Sequence, residues 1–299
     1  MRNNRIETIA LELASSCNLS CSYCDNQYRQ SKKSERALEF MPVDMIDFII
    51  SETMEFEVKP SITLSYEGES TLHPNFELIL EKFHSNNFNT WLSTNAVNTS
   101  LSLLKLLEKK CSHTCISVHN YSSFEKISLL LKKSDFKNIS LSWILDSFDS
   151  HSINRWYREF GSALDLSVPI YFWLKARYSS QKIEIMDKKP FEVHLKSRKP
   201  CMAPFNYLAI LSDGKISPCC ITSRYTLKGV DIYDGFENVV NSDEYLYYLN
   251  QHKELKLEEY GTCLNCEFWL EGWLGDQEVT LFDRQCLMQG LSIFIDNKK

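Results

Sequence analysis

The stretch that decides the fold is Cys17-Asn18-Leu19-Ser20-Cys21-Ser22-Tyr23-Cys24. Its three cysteines stand four and three residues apart, so their thiolates can share one cluster. A cubane iron–sulfur cluster usually takes four thiolates, and a local set of three leaves one iron open for a substrate or a second cofactor. A zinc site is the alternative, but zinc needs a fourth nitrogen or sulfur ligand nearby. His73 and His113 lie far along the chain, which disfavours zinc.

The residues around this loop predict alternating strands and helices up to about residue 176. The predicted strands are 6–13, 61–66, 88–93, 114–118, 139–145 and 168–174. The predicted helices are 41–56, 74–84, 101–110, 122–133 and 153–160. Strands separated by helices imply parallel pairing with right-handed crossovers. Six such units fit a partial (β/α)6 TIM-like barrel, and a doubly wound α/β sheet is the alternative that the pattern leaves open.

The amino-acid composition disfavours nucleic-acid-binding, membrane-spanning and disulfide-rich secreted proteins. A chain of 299 residues with 43% hydrophobic residues can bury a sizeable core, and a net charge of −6 disfavours a general nucleic-acid surface. We find no apolar run long enough to span a membrane and no signal peptide. Eleven cysteines without an export signal point to metal binding rather than to disulfides. An oxygen-sensitive cluster needs a reducing compartment, so we expect a cytoplasmic protein.

Polar residues follow three of the predicted strands, at the edge of a parallel sheet where ligand sites form. The second strand is followed by Glu67-Gly68-Glu69-Ser70, the third by Thr94-Asn95, and the fourth by Ser117-Val118-His119. Glycine lets another part of the chain approach closely, and a carboxylate suits an ammonium group. The alternative for each stretch is an ordinary strand-to-helix turn. His119 is a candidate for proton transfer, but a hydrogen-bonded structural role is the favoured interpretation.

A second cysteine set begins after a lysine-rich linker that Pro190 and Pro200 bracket. Cys201 and Cys219 flank two apolar runs around Ser212-Asp213-Gly214, which predicts a β-hairpin that returns one cysteine towards the other. Cys263 and Cys266 add a close pair. Four thiolates complete the shell of a 4Fe–4S cluster, and a structural zinc ion is the alternative.

The CxxxCxxC loop, with the aromatic Tyr23 before its last cysteine, resembles the radical S-adenosylmethionine (SAM) superfamily. In that family the open iron is chelated by SAM, and one electron cleaves SAM to a 5′-deoxyadenosyl radical that abstracts a substrate hydrogen. The resemblance implies a partial barrel and a 4Fe–4S cluster on Cys17, Cys21 and Cys24. It also implies SAM contacts from the following residues: Tyr23, Gly68, Glu69, Ser70, Thr94, Asn95 and Ser117. Glu67 and Ser70 depart from the Gly-Gly-Glu-Pro of many members.

The second cysteine set resembles the twitch domain, a shortened SPASM domain, in the arrangement of twitch-type aminocyclitol dehydrogenases. The resemblance implies one auxiliary 4Fe–4S cluster with Cys201, Cys219, Cys263 and Cys266 as ligands, and thus two clusters in all. The implied domains are a radical SAM barrel over 1–180, a linker over 181–199 and a twitch-like domain with a C-terminal extension over 200–299.

Oxidation of a small polar substrate, such as an amino sugar or cyclitol, is the leading functional hypothesis. The second is epimerisation or crosslinking of a ribosomally made peptide, although a first strand near residue 6 disfavours a leader-binding domain before it. A non-enzymatic iron–sulfur carrier or sensor is the third. The electron donor would be a flavodoxin or ferredoxin. Four cysteines are left over, and a thiol among them could return a hydrogen atom to a substrate radical. Cys286 and Cys220 are the first candidates, and Cys111 and Cys115 are the others. The alternative for all four is that they are small buried apolar residues.

Overall fold

The computed structural model describes residues 6–21, 24, 39–145, 150–174, 200–219, 225–260 and 263. Four residues with a predicted role lie outside this part of the chain: Tyr23, Cys220, Cys266 and Cys286. The linker 181–199 and the C-terminal extension beyond residue 263 also lie outside it.

Eight strands of the described residues form one sheet in the order β6-β5-β4-β3-β2-β1-β7-β8. They are β1 Thr8–Leu11, β2 Ser61–Thr63, β3 Thr90–Thr94, β4 His113–Ser117, β5 Ile139–Leu145, β6 Ile170–Leu174, β7 Tyr207–Ile210 and β8 Ile216–Ser217. Strands β1 to β6 pair in parallel with their neighbours in chain order. A doubly wound sheet reverses its strand order near the first strand, so this sequential order excludes that alternative and matches a partial barrel.

Helices follow the barrel strands as the sequence predicts, and the described residues beyond 200 contain three more that were not predicted. They are α1 Val43–Met54, α2 Phe76–Ser85, α3 Leu101–Lys110, α4 Tyr121–Leu131, α5 Ser150–Phe160, α6 Ala203–Asn206, α7 Phe236–Asn241 and α8 Asp243–Lys253. Side-chain caps fix several starts, because Ser100 accepts from the N–H of Leu103 and Asn120 accepts from that of Ser123. No helix in the described ranges has the length and apolar character needed to cross a bilayer.

One face of the sheet packs against the helices. Ile9 of β1 and Ile62 of β2 share a buried apolar cluster with Ile49 of α1, while Leu141 of β5 packs with Trp156 of α5 in a second cluster. Side chains alternate along a strand, so the residues between these core positions share the opposite, inner face. That inner face is polar and carries Thr63, Trp91, Ser93, His113, Cys115, Ser117, Ser140, Ser142 and Tyr171.

The hairpin predicted between Cys201 and Cys219 is confirmed, since β7 and β8 pair antiparallel. Gly214 lies in its turn with a φ of +84°, which favours glycine. The hairpin extends the barrel sheet, because β7 pairs in parallel with β1 from Thr8 to Leu11. The buried carboxylate of Glu12 reinforces the joint by accepting from the N–H and hydroxyl of Ser212 at 3.0 and 3.1 Å. The start of the second cysteine set is therefore fixed to the strand that leads into the first.

The main difference from the predicted elements lies in β2, which ends at Thr63 rather than at residue 66. Leu64 still donates from its N–H to Trp91 at 2.7 Å, and the chain then leaves the ladder. Tyr66 turns towards the hairpin, where its hydroxyl donates to the carbonyl oxygen of Cys219 at 2.9 Å. The remaining strand and helix ends differ from the predictions by a few residues.

Candidate active site

The three-cysteine loop follows β1, at the carboxyl edge of the parallel strands. The N–H of Leu19 lies 3.4 Å from the Cys17 sulfur, and the N–H of Cys24 donates to the carbonyl of Cys21 at 3.0 Å. Cys17 and Cys21 are half-buried and Cys24 is exposed. Burial raises the pKa of the Cys17 thiol; the N–H of Leu19 opposes this, and the negative charge of Glu69 adds to it.

Gly68 lets the loop after β2 approach the three-cysteine loop. Its φ is +86°, and a Cβ there would lie 2.0 Å from the carbonyl oxygen of Ala14 and 2.8 Å from that of Ser16. Both oxygens belong to the backbone, so a side chain could be admitted only if the loop moved. The neighbouring Glu69 donates from its N–H to the Ser16 carbonyl at 2.8 Å. The two loops are thus in direct backbone contact just before Cys17.

The buried carboxylate of Glu69 connects the ends of β2 and β3. One oxygen accepts from the hydroxyls of Thr94 and Thr71, each at 2.6 Å, and the other accepts from the N–H of Asn95 at 2.8 Å. All three partners are donors, which suits a carboxylate, whose oxygens only accept hydrogen bonds. A buried carboxylate attracts a cation, and SAM carries an ammonium and a sulfonium group.

The carboxamide of Asn95 is oriented by its own backbone. The N–H of Val97 donates to its oxygen at 3.0 Å, which turns the amide nitrogen towards the three-cysteine loop. That nitrogen donates to the Asn18 side-chain oxygen at 2.7 Å and lies 3.5 Å from the Cys17 sulfur. Asn95 therefore holds the three-cysteine loop in place, a role that the sequence did not indicate beside the predicted SAM contact.

The end of β4 completes this edge of the sheet. The hydroxyls of Ser117 and Ser142 lie 3.3 Å apart, and Nδ1 of His119 lies 3.6 Å from the Cys21 sulfur. Burial lowers the pKa of His119, and the charge of Glu69 opposes that effect. The sequence favoured a structural role for His119, whereas the fold places it beside Cys21. Its position directly after a predicted strand was the available signal.

The two histidines weighed for a zinc site are engaged elsewhere. Nε2 of His73 donates to the carbonyl of Met41 at 2.9 Å, while Nδ1 accepts from the N–H of Asn75 at 3.0 Å. Nε2 of His113 lies 2.9 Å from the Ser140 hydroxyl on the inner face. Among the residues that the structure describes, no three His, Cys, Asp or Glu side chains form a site for a single metal ion. Three thiolates with one open iron are the donor set of a cubane that binds a further ligand, whereas zinc needs a fourth nitrogen or sulfur ligand.

Three cysteines of the second set lie around one buried tyrosine, Tyr248 of α8. Burial raises the pKa of Tyr248, and the nearby thiols of Cys263, Cys219 and Cys201 raise it further. Nε2 of the buried His252 lies 3.8 Å from the Cys263 sulfur, and the ring centroids of Tyr248 and His252 are 4.5 Å apart. These thiols come from three separate segments of the chain. The tyrosine and the histidine were not identified from the sequence.

The two spare cysteines among the described residues differ in placement. Cys111 is buried in the apolar core at the end of α3, and burial raises its pKa to about 11. Cys115 lies on the inner face of β4 and hydrogen-bonds with Ser142 and Ser140 of β5, and burial raises its pKa as well. Both thiols keep their protons near neutral pH, but only Cys115 of the pair is on the face that lines the barrel.

Comparison with known proteins agrees with this geometry. Residues 11–150 match the profile of the radical SAM superfamily, and residues 201–267 match that of an iron–sulfur cluster-binding domain, SPASM. BtrN in complex with AdoMet and 2-DOIA is a similar solved structure, with a TM-score of 0.56, 15% identity, and coverage of 88% of this chain and 93% of BtrN. Native anSMEcpe with bound AdoMet and Cp18Cys peptide has a TM-score of 0.57, 15% identity, and coverage of 88% and 86%.

A search of curated proteins finds no match. The two matched profiles and the shared fold together define a radical SAM enzyme with a SPASM domain, of the SPASM/twitch type. The fold is the partial barrel of such proteins, so this part of the sequence interpretation is confirmed. An iron–sulfur carrier without SAM chemistry is correspondingly disfavoured.

We expect Gly68→Ala to displace the three-cysteine loop, because the new methyl group would overlap two backbone carbonyls. Gly229→Ala is the matched control, since Gly229 has a φ of +67° and no atom within 4 Å of its Cβ position. The control should lose only about 1–2 kcal/mol from left-handed strain. Gly68→Ala should lose more free energy of unfolding and also lose iron from the Cys17 site. Equal losses in denaturant unfolding and in iron content would contradict the docking role of Gly68.

We expect Asn95→Asp to weaken SAM binding more than Asn95→Ala does. The aspartate would present a charged oxygen to Asn18 and Cys17, whereas alanine only removes donors at a cost of about 1–3 kcal/mol. A loss of that size weakens binding by about fivefold to about 150-fold. SAM affinity and iron content after anaerobic reconstitution measure the effect. Asn98→Asp adds the same charge at a nearby exposed position, and an equal loss there would show that the Asn95 contacts do not matter.

Proposed function

We propose that this radical SAM enzyme oxidises a small polar substrate, such as an amino sugar or cyclitol, by removing hydrogen from a C–H bond. Cys17, Cys21 and Cys24 would hold the 4Fe–4S cluster at which SAM, once reduced, supplies the hydrogen-abstracting radical. Cys201, Cys219, Cys263 and Cys266 would hold one auxiliary 4Fe–4S cluster that supplies an acceptor for the second electron. Cys266 lies outside the described residues, so its part in this set rests on the sequence.

The observation that carries this proposal is that residues 201–267 match an iron–sulfur cluster-binding domain whose hairpin is paired to the barrel strand β1. A cluster with four protein ligands has no open iron for a substrate, so electron transfer is the chemistry left to it. The hairpin on which Cys219 lies is paired to β1, the strand that leads into Cys17. An electron acceptor fixed near the barrel suits an oxidation, which must dispose of one electron after the hydrogen atom has left.

The chain's own residues bind and orient SAM in this proposal. Glu69 offers a buried carboxylate to the ammonium group. Gly68 has no side chain, so the ligand can lie against the backbone of the loop after β2. Thr94 and Asn95 hold the Glu69 carboxylate in place. Ser70 and Ser117 supply further polar contacts, as Tyr23 would from outside the described residues.

The inner face of the barrel suits a small polar substrate. Its strand side chains include the hydroxyls of Ser93, Ser117, Ser140 and Ser142, which both donate and accept hydrogen bonds. Trp91 lies on the same face with 47% of its surface exposed, and an exposed indole can receive a hydrocarbon face or an amine of a substrate. BtrN is similar in fold and was solved with 2-DOIA, which supports a small-molecule substrate.

The second candidate function is epimerisation of a peptide, and the placement of Cys115 favours it. A protonated thiol on the inner face could return a hydrogen atom to a substrate radical, which would leave the substrate inverted but not oxidised. The fold likeness to anSMEcpe, solved with a Cp18Cys peptide, is compatible with a peptide substrate. Cys220 and Cys286 remain sequence-based candidates for the same role. Under either function, we propose a flavodoxin or ferredoxin as electron donor and a cytoplasmic location.

Heavy water separates the two functions. The reconstituted enzyme is incubated in deuterium oxide with SAM, a reductant and candidate amino sugars, cyclitols or peptides, and the product is analysed by mass spectrometry. We expect a product lighter by two hydrogen atoms with no deuterium at the reacting carbon, because the intermediate loses an electron instead of gaining a hydrogen atom.

Two variants, Cys115→Ala and Cys111→Ala, test whether a spare thiol returns a hydrogen atom to the substrate. We expect both variants to turn over, since the proposed oxidation uses neither thiol. A product of unchanged oxidation state that carries one deuterium, formed by the wild type and by Cys111→Ala but not by Cys115→Ala, would overturn the oxidation and establish Cys115 as the hydrogen donor.

A further inference from the structure

Tyr66 joins the loop after β2 to the second cysteine set. Its hydroxyl donates to the carbonyl oxygen of Cys219 at 2.9 Å and lies 3.3 Å from the Ser217 hydroxyl. The same Ser217 oxygen accepts from the N–H of Cys219 at 3.3 Å. The phenol, the serine hydroxyl and the Cys219 backbone thus form a closed ring of contacts at the end of β8.

The same short loop also contacts the first cysteine set. Two residues beyond Tyr66, Gly68 packs beneath the carbonyls of Ala14 and Ser16, and Glu69 donates to the Ser16 carbonyl at 2.8 Å. Ser16 precedes Cys17 directly. Residues 66–69 therefore lie between the backbone of one predicted cluster ligand, Cys17, and that of another, Cys219.

This contact is separate from the pairing of β7 with β1. The strand pairing fixes the base of the hairpin, whereas Cys219 lies two residues beyond the end of β8. Tyr66 contacts Cys219 from the barrel side, in addition to that pairing.

We propose that Tyr66 is a positioning residue that sets the separation between the two clusters by fixing Cys219 against the loop of the SAM site. This inference rests on the proposed function, because it requires a cluster at each cysteine set. Electron transfer weakens with distance, so a change in the position of Cys219 would change how fast the auxiliary cluster accepts an electron. Tyr66 therefore links the geometry of SAM binding to that of the electron acceptor.

The test compares Tyr66→Phe with a matched tyrosine. Tyr245→Phe removes the same kind of buried bond, from a phenol to the carbonyl of Pro204 at 2.5 Å, without touching the loop after β2. Both holoenzymes are reconstituted anaerobically, and their iron content and thermal unfolding midpoint are measured. With both clusters reduced, each is paramagnetic, and pulsed electron paramagnetic resonance reports their magnetic interaction and hence their separation.

We expect both variants to keep full iron and to lose similar thermal stability. Only Tyr66→Phe should show a weaker or broadened interaction between the clusters, and Ser217→Ala should show a smaller change in the same direction. With product assays, Tyr66→Phe should consume more SAM for each product molecule than the wild type and Tyr245→Phe do. A full iron content with an interaction equal to that of the wild type would overturn the role of Tyr66 alone. A wild-type chain that holds a single cluster would overturn both this inference and the two-cluster function.

Discussion

The carboxylate of Glu69 is the interaction on which the site depends. Its two oxygens bind the hydroxyl of Thr94 and the N–H of Asn95, so the ends of β2 and β3 are locked together at the carboxyl edge of the sheet. Through Asn95, this lock extends to Asn18 and Cys17 in the three-cysteine loop. One buried carboxylate thus organises the loop, and in the proposed function it would also attract the ammonium group of SAM. Removing it would leave several buried donors without partners, each at a cost of about 1–3 kcal/mol.

A second constraint is that the two cysteine sets share one sheet. The hairpin of the second set is paired to β1, and β1 leads into the first set. Glu12 and Tyr66 then make side-chain contacts from the barrel to Ser212 and Cys219. The auxiliary segment is therefore an extension of the barrel sheet, which keeps both cysteine sets on the same scaffold.

The sequence was sufficient for much of the fold. Apolar alternation located the six barrel strands, and the hairpin signal around Gly214 located β7 and β8. Gly68 was expected to allow a close approach of another part of the chain, and the structure shows backbone atoms of Ala14 and Ser16 at that position. The zinc alternative lost support once His73 was found to use both ring nitrogens in local contacts.

Other features could not have been predicted because they depend on residues far apart in the chain. The contacts of Asn95 with Cys17, His119 with Cys21 and Tyr66 with Cys219 form only after the strands have been ordered. Periodicity reports which face a residue takes, but it carries no information on which distant side chain will lie opposite. Tyr248 was missed for the same reason, because its helix lies some thirty to fifty residues from Cys219 and Cys201 along the chain.

The most direct measurement of the central claim is the iron and sulfide content of anaerobically reconstituted protein. Two cubane clusters predict about eight irons per chain in the wild type, and about four when Cys17, Cys21 and Cys24 are all changed to Ala. A wild type with about four irons and one zinc ion would contradict the account, because the second cysteine set would then hold no electron acceptor.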